Sequence, residues 1–199
     1  MIQGDIKTKF WRRNKMDWGL FKCQNRKEIS ILAKRIVSKY YGVCFEDISW
    51  KTTEYGKPYF ITKDKEISCF NYAHSGNYLL IGLAFNKFLG VDVEDLSKKR
   101  KNIENISTIF SNQEYEYVRT LSIEKRKEAI SNIWVIKESI GKVLGVGLLY
   151  DTSQITVCER FANNSLVANT VVVNDRTITY FSRKIEQCYM SVAYIAEEN

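Results

Sequence analysis

The stretch Ala129-Ile130-Ser131-Asn132-Ile133-Trp134-Val135-Ile136-Lys137-Glu138-Ser139-Ile140-Gly141-Lys142-Val143-Leu144 repeats its apolar residues at helical spacing. Ala129, Ile133, Ile136, Ile140, Val143 and Leu144 make one face, which predicts a long helix from about Glu124 to Leu144, stopped near Gly145 and Gly147. The same pattern occurs earlier, where Ile29, Leu32, Ala33, Ile36, Val37 and Tyr40 predict a helix over Arg26 to Tyr41 that Gly42 ends. Strand-like runs follow the first helix at Ile48 to Thr52, Ser68 to Ala73, Asn77 to Phe85 and Phe88 to Glu94, the last two reading as a hairpin turned at Asn86-Lys87. A polar helical stretch is expected from Lys101 to about Ser122. Beyond the long helix, Gln154 to Arg160, Leu166 to Val173, Thr177 to Arg183 and Tyr189 to Ala196 read as further strands. Helix followed by strands thus occurs twice. The expectation is an α+β protein of two similarly built lobes, residues 1–90 and 91–199, forming one globular unit.

Composition narrows the function. The 199 residues include 45% hydrophobic and 13% aromatic side chains, enough for a packed core. Met1-Ile2-Gln3-Gly4-Asp5 lacks an apolar signal region, and the longest apolar run, Tyr78 to Phe85, is too short to cross a bilayer. A soluble, unexported, cytoplasmic protein with no membrane partner is expected. Cys23, Cys44, Cys69, Cys158 and Cys188 lack CxxC spacing, so they read as reduced thiols rather than a disulfide framework or a zinc site. With His74 the only histidine, a multi-histidine metal site is impossible.

Three places could carry chemistry. In Gly90-Val91-Asp92-Val93-Glu94, strand alternation turns Asp92 and Glu94 to one face, where two carboxylates could hold a divalent cation or merely face solvent. On the long helix, Trp134, Glu138 and Lys142 follow at i, i+4, i+8 opposite the core stripe. That reads either as a covered functional face or as an ordinary Glu–Lys pair worth about a few tenths of a kcal/mol beside a stray core tryptophan. His74 is expected in a loop between two strands, Phe70-Asn71-Tyr72-Ala73-His74-Ser75-Gly76, able to present an imidazole and backbone N–H groups to an anion or to serve structure alone. Lys57, in Tyr55-Gly56-Lys57-Pro58, sits at a turn.

Taken in order, Tyr55-Gly56-Lys57-Pro58, Phe70-Asn71 to His74-Ser75-Gly76, Gly90-Val91-Asp92-Val93-Glu94, and Trp134-Val135-Ile136-Lys137-Glu138-Ser139 with Lys142 and Gly145-Val146-Gly147-Leu148 resemble the 4'-phosphopantetheinyl transferases of the surfactin-synthetase-activating type. The resemblance covers residues 20–150 by motif and the strand-rich tail in pattern only. It implies a monomeric pseudo-dimer of two α+β lobes with coenzyme A bound between them. Asp92, Glu94 and Glu138 would then bind magnesium, or manganese, against the pyrophosphate of coenzyme A. Lys142 would stabilise the leaving α-phosphate, His74 would contact phosphates, Lys57 the 3'-phosphate, and Arg26 the 3'-phosphate or adenine region. Arg12, Arg13 and Lys15 are weaker candidates for that region. The phosphopantetheine would pass to a serine of an apo acyl or peptidyl carrier protein, releasing adenosine 3',5'-bisphosphate, with Glu138 or a metal-bound water as general base. Many members carry Ser where this chain has Ala73, and the N-terminal lobe looks short for the family.

The net charge of +7 suits an acidic carrier protein, expected to dock around Phe110 to Tyr117 and Lys98 to Lys101. Lys7, Lys9, Arg12, Arg13 and Lys15 with Phe10, Trp11 and Trp18 would also suit a basic nucleic-acid-binding module. That reading leaves Asp92, Glu94 and Glu138 unexplained, so no nucleic-acid partner is expected. A catalytically inactive homologue that binds coenzyme A or a carrier is the remaining alternative.

Overall fold

The computed structural model describes residues 9–13, 16–23, 25–54, 58–62, 66–67, 69–85, 88–98, 108–145, 151–157 and 168–195. Among the described residues, strands and α-helices run in the order β1 (Lys9–Arg13), β2 (Met16–Lys22), α1 (Arg26–Tyr41), β3 (Ser49–Thr52), β4 (Pro58–Ile61), β5 (Glu66–Ile67), β6 (Phe70–Ser75), β7 (Tyr78–Ala84), β8 (Leu89–Asp95), α2 (Asn112–Thr120), α3 (Ile123–Leu144), β9 (Asn169–Val173), β10 (Arg176–Ile185) and β11 (Cys188–Ile195). Both long helices form where apolar periodicity predicts them. Asn25 accepts the Glu28 N–H at 3.1 Å to open α1, and Gly42 closes it at φ 66°.

The strands build two four-stranded antiparallel sheets, β1-β2-β7-β6 and β8-β11-β10-β9, and a small sheet β3-β4-β5. The β1–β2 hairpin supplies strands that the basic N-terminal sequence did not announce. The expected hairpin between the runs ending at Phe85 and beginning at Phe88 does not form. β7 already pairs with β2 on one edge and β6 on the other, so β8 joins the second sheet through β11. β7 is buried along its whole length, which accounts for its unbroken apolar run.

The helix expected from Lys101 to Ser122 is confined, among the described residues, to α2, which Ser111 and Glu114 open with a reciprocal capping box. The strand expected over Gln154 to Arg160 is also absent where the chain is described. Residues Thr152–Gln154 form a 3-10 turn, and the next backbone groups are claimed by side chains: Ile155 C=O accepts from Lys137 and Val157 N–H donates to Glu114, both at 2.8 Å. Groups so satisfied need no neighbouring strand.

Three apolar clusters define the layers. Trp18, Leu20, Leu80, Val91, Val93, Phe181 and Val192 lie between the two large sheets. Ile29, Ala33 and Val37 of α1 pack on Leu79, Ile81 and Phe70 at the outer side of the first sheet. Ile133, Ile136, Ile140 and Val143 of α3 pack on Ile178, Tyr180 and Ala193 at the outer side of the second. Cys23, Cys44, Cys69 and Cys188 are free thiols, and Cys158 lies outside the described residues. No helix among the described residues is long and apolar enough to cross a membrane.

Candidate active site

β6 ends the first sheet and β8 ends the second, and the two strands run alongside each other in the same direction. Asn71 Oδ1 accepts the Val91 N–H at 3.0 Å, and Ser75 Oγ accepts the Asp95 N–H at 3.1 Å, each across a separation of 20 residues. The same offset sets Tyr72 level with Asp92 and His74 level with Glu94. Ala73 of β6 and Val91 and Val93 of β8 turn into the core between the sheets, so alternation turns Tyr72, His74, Asp92 and Glu94 to the other side. That is the side on which α1 and α3 lie.

α3 reaches this seam through Lys142. Its ammonium donates to Asp92 Oδ1 at 2.8 Å and to Val91 C=O at 3.0 Å, so the carboxylate is met by a positive charge. Glu138 lies one turn earlier on the same stripe and Trp134 one turn before that, all three half-buried. The side opposite the apolar stripe is therefore partly covered rather than open to solvent throughout. The close approach depends on Gly90. A Cβ there would lie 2.1 Å from Ser139 C=O and 2.7 Å from Val143 N, both backbone atoms of α3 that cannot swing away. The Gly90→Ala variant should therefore lose about 1–3 kcal/mol of stability in urea unfolding, the range for a forced methyl in a packed contact.

His74 is exposed and lies within β6, paired with Leu79, rather than in a loop. The turn follows it: Ser75 and Tyr78 flank Gly76-Asn77, and Gly76 adopts φ 58°, which suits glycine in so short a connection. A Cβ at Gly76 would also fall 2.0 Å from Asp95 Oδ2, so a larger residue there would have to displace the Asp95 side chain at the end of β8. Ser75 Oγ stands 3.4 Å from Glu94 Oε2, linking the histidine strand to the carboxylate pair.

Among the other predicted residues, Arg26 opens α1, but its side chain lies outside the described residues, as do Lys57 and Lys99 to Lys101. Arg12 and Arg13 belong to β1, their side chains likewise outside; Lys15 is not described. The structure thus brings together His74, Asp92, Glu94 and Lys142, with Glu138 on the adjoining helix stripe.

Several residues escaped the sequence reading. Tyr72 is half-buried against Trp50, with ring centroids 5.4 Å apart; burial pushes its phenol up, and the Lys142 charge acts in the opposite direction. Its signal was available, since it stands two residues before His74 on one strand. Lys137 and Glu114 were not foreseen as a pair, yet Nζ and Oε2 lie 2.6 Å apart at 1% and 2% side-chain exposure.

Asp92, Glu94 and Glu138 each carry oxygen donors of the kind a hard divalent cation takes, and Asp92 already attracts a cationic group in Lys142. As the side chains lie, no group of three His, Cys, Asp or Glu among the described residues is close enough to hold a metal ion. The chemistry of the donors fits such an ion, with Asp92 engaged by Lys142 instead.

A family model described as ACPS, 4'-phosphopantetheinyl transferase superfamily, matches residues 88–192. A Synechocystis protein named for the 4'-phosphopantetheinyl transferases is 33% identical over 107 residues, covering 54% of this chain and 44% of its own length. The 4'-phosphopantetheinyl transferase psf-1 of Bacillus pumilus is 26% identical over 126 residues, 63% of this chain and 52% of that protein. The 4'-phosphopantetheinyl transferase Sfp of Bacillus subtilis is 29% identical over 118 residues, 59% of this chain and 50% of that protein. The chain spans about half the length of the relatives it matches.

Proposed function

Because the chain belongs to the 4'-phosphopantetheinyl transferase superfamily, we propose that it moves the 4'-phosphopantetheine group from coenzyme A to a serine hydroxyl of an apo acyl or peptidyl carrier protein, with adenosine 3',5'-bisphosphate leaving. The observation that carries this reading is the seam between β6 and β8, where His74 and Tyr72 run level with Glu94 and Asp92 and Lys142 enters from α3. One strand there offers groups able to donate hydrogen bonds to phosphate, the other carboxylates, and the helix an ammonium.

The chemistry asks the protein for positioning and charge compensation more than for covalent work. The serine oxygen bonds to the β-phosphorus, next to the pantetheine, and the bond from that phosphorus to the bridging oxygen breaks. Negative charge then grows on the departing α-phosphate, where Lys142 is available as a fixed positive charge. His74, exposed on β6, donates to phosphate oxygens, with Tyr72 beside it. Glu138 takes the serine proton. Asp92, Glu94 and Glu138 would hold magnesium or manganese, which when bound neutralises pyrophosphate charge. Lys57 and Arg26 would serve the 3'-phosphate and the adenine region.

The protein acts as a cytoplasmic monomer of two lobes meeting near residue 90. Its carrier is acidic and docks by Lys98 to Lys101 and the α2 surface, where Lys98 and Tyr115 are exposed. Reversing the charges of Lys98 to Lys101 should slow transfer and flatten its salt dependence; an unchanged rate would remove that surface from consideration.

Intact-mass spectrometry of an apo carrier protein incubated with the enzyme, coenzyme A and magnesium tests the function directly. The carrier should gain one phosphopantetheine, and EDTA should prevent the gain. A chain that binds no coenzyme A and modifies no carrier would overturn the reading.

A further inference from the structure

The outer edge of β8 has no strand partner among the described residues, since β8 stands at the end of its sheet. An unpaired edge ordinarily leaves a row of N–H and C=O groups to water or to another chain. Here three of those groups are capped by side chains. Val91 N–H goes to Asn71 Oδ1, Val91 C=O accepts from Lys142, and Asp95 N–H goes to Ser75 Oγ. Asn71 is 1% exposed and Ser75 5%, so neither acceptor can be replaced by bulk water. The two β6 caps stand four residues apart on one face of the strand and meet β8 residues that are also four apart. They therefore set direction and register together, as a ladder would, but through side chains.

We infer that Asn71 and Ser75 are positioning residues: they latch the carboxylate strand β8 to the histidine strand β6 and thereby fix how His74 and Tyr72 stand against Asp92, Glu94 and Lys142. The catalytic part of this inference rests on the transferase reading; the latch itself does not. Asn71 and Lys142 cap the two polar groups of one residue, Val91, so losing Asn71 loosens the strand segment to which the site lysine is bonded. Ser75 acts at the other end, beside Glu94. A backbone ladder would have tolerated many side chains at these positions, whereas this arrangement requires an acceptor on each.

Residue-resolved amide hydrogen exchange by NMR, paired with transfer kinetics on the full chain, tests the latch. In the unsubstituted protein the Val91 and Asp95 amides should be protected despite lying on a sheet edge. Asn71→Ala should speed exchange at Val91, and Ser75→Ala at Asp95, each by about tenfold or more, the scale for a buried N–H that loses its acceptor. Ser75→Thr, which keeps the hydroxyl, should retain protection at Asp95. At a temperature where circular dichroism shows every variant folded, kcat should fall about tenfold or more in Asn71→Ala and recover toward the parent value in Ser75→Thr relative to Ser75→Ala. A purely structural role would alter melting and leave kcat per folded molecule unchanged.

Unprotected Val91 and Asp95 amides in the unsubstituted protein would overturn the latch, even if no variant folds. Protected amides with unchanged kcat in folded Asn71→Ala would overturn its positioning role. If the parent protein transfers nothing to any carrier, the transferase reading fails, and the exchange rates alone decide whether the latch exists.

Discussion

Glu138→Gln is expected to lower phosphopantetheine transfer by about 10²–10⁴-fold, the range over which a positioned general base contributes. The substitution keeps size and shape while removing charge. α3 should hold its place, because its hydrophobic face and the Lys142–Asp92 pair are untouched. Unfolding by urea should accordingly shift little, and the loss should appear in the mass assay of the carrier. The two roles open to this carboxylate give different residues of activity. If Glu138 chiefly holds the divalent ion, raising magnesium should recover part of the rate. If it chiefly takes the serine proton, excess magnesium should do nothing and the fall of rate on the acid side should disappear. A Glu138→Gln protein as active as its parent would remove this residue from the site.

The second large effect concerns stability. Removing one partner of the Lys137–Glu114 pair should cost about 3–5 kcal/mol, the range for a buried charge left uncompensated. Nothing exposed can screen it. The Lys137 ammonium is surrounded by Glu114 Oε2 at 2.6 Å, Ile109 C=O at 2.9 Å, and the carbonyls of Thr152 and Ile155 at 2.8 Å. Glu114 in turn accepts from Ser111 N–H and Val157 N–H, each at 2.8 Å. One ion pair thus ties the start of α2 and the chain after α3 to the residue preceding Glu138. Glu114→Ala and Lys137→Met should each show the loss in urea unfolding. The double variant should lose less than the sum, yet stay below the parent, because the N–H and C=O groups that the pair served remain buried.

Alkaline titration offers a separate check on the pair. Burial holds the Lys137 ammonium below its ordinary value of 10.5, with the Glu114 hydrogen bond and charge opposing. The unfolded chain binds this proton more readily than the folded one. Its contribution therefore makes stability rise with pH in the window below 10.5, and that slope should be missing in Lys137→Met.

The β7–β8 misreading shows why strand pairing was not legible. Apolar alternation and a short polar link are shared by a hairpin and by two strands that part company. The deciding fact is that β2 already occupies the free edge of β7, and β2 comes from an N-terminal segment whose basic residues gave no sign of a strand. The Ile155–Val157 segment was misread for a related reason. Ile155 and Val157 are buried and Thr156 between them is exposed, as in a strand, but the backbone is satisfied by Lys137 and Glu114, partners that no local pattern can indicate.

By itself the sequence determined both long helices, the glycines that stop them, and which candidate residues share a face: period and glycine stops are local physics, and Asp92 with Glu94, or Glu138 with Lys142, share a face through strand and helix geometry alone. Only the tertiary structure decided that β6 and β8 lie together in one direction, that Tyr72 joins His74 beside the carboxylates, and that Lys142 reaches Asp92. Those juxtapositions depend on Asn71 and Ser75 meeting amides 20 residues away and on a helix resting against the bare Cα of Gly90. Contacts between distant segments are set by the packing of whole layers, which leaves no periodic trace along the chain.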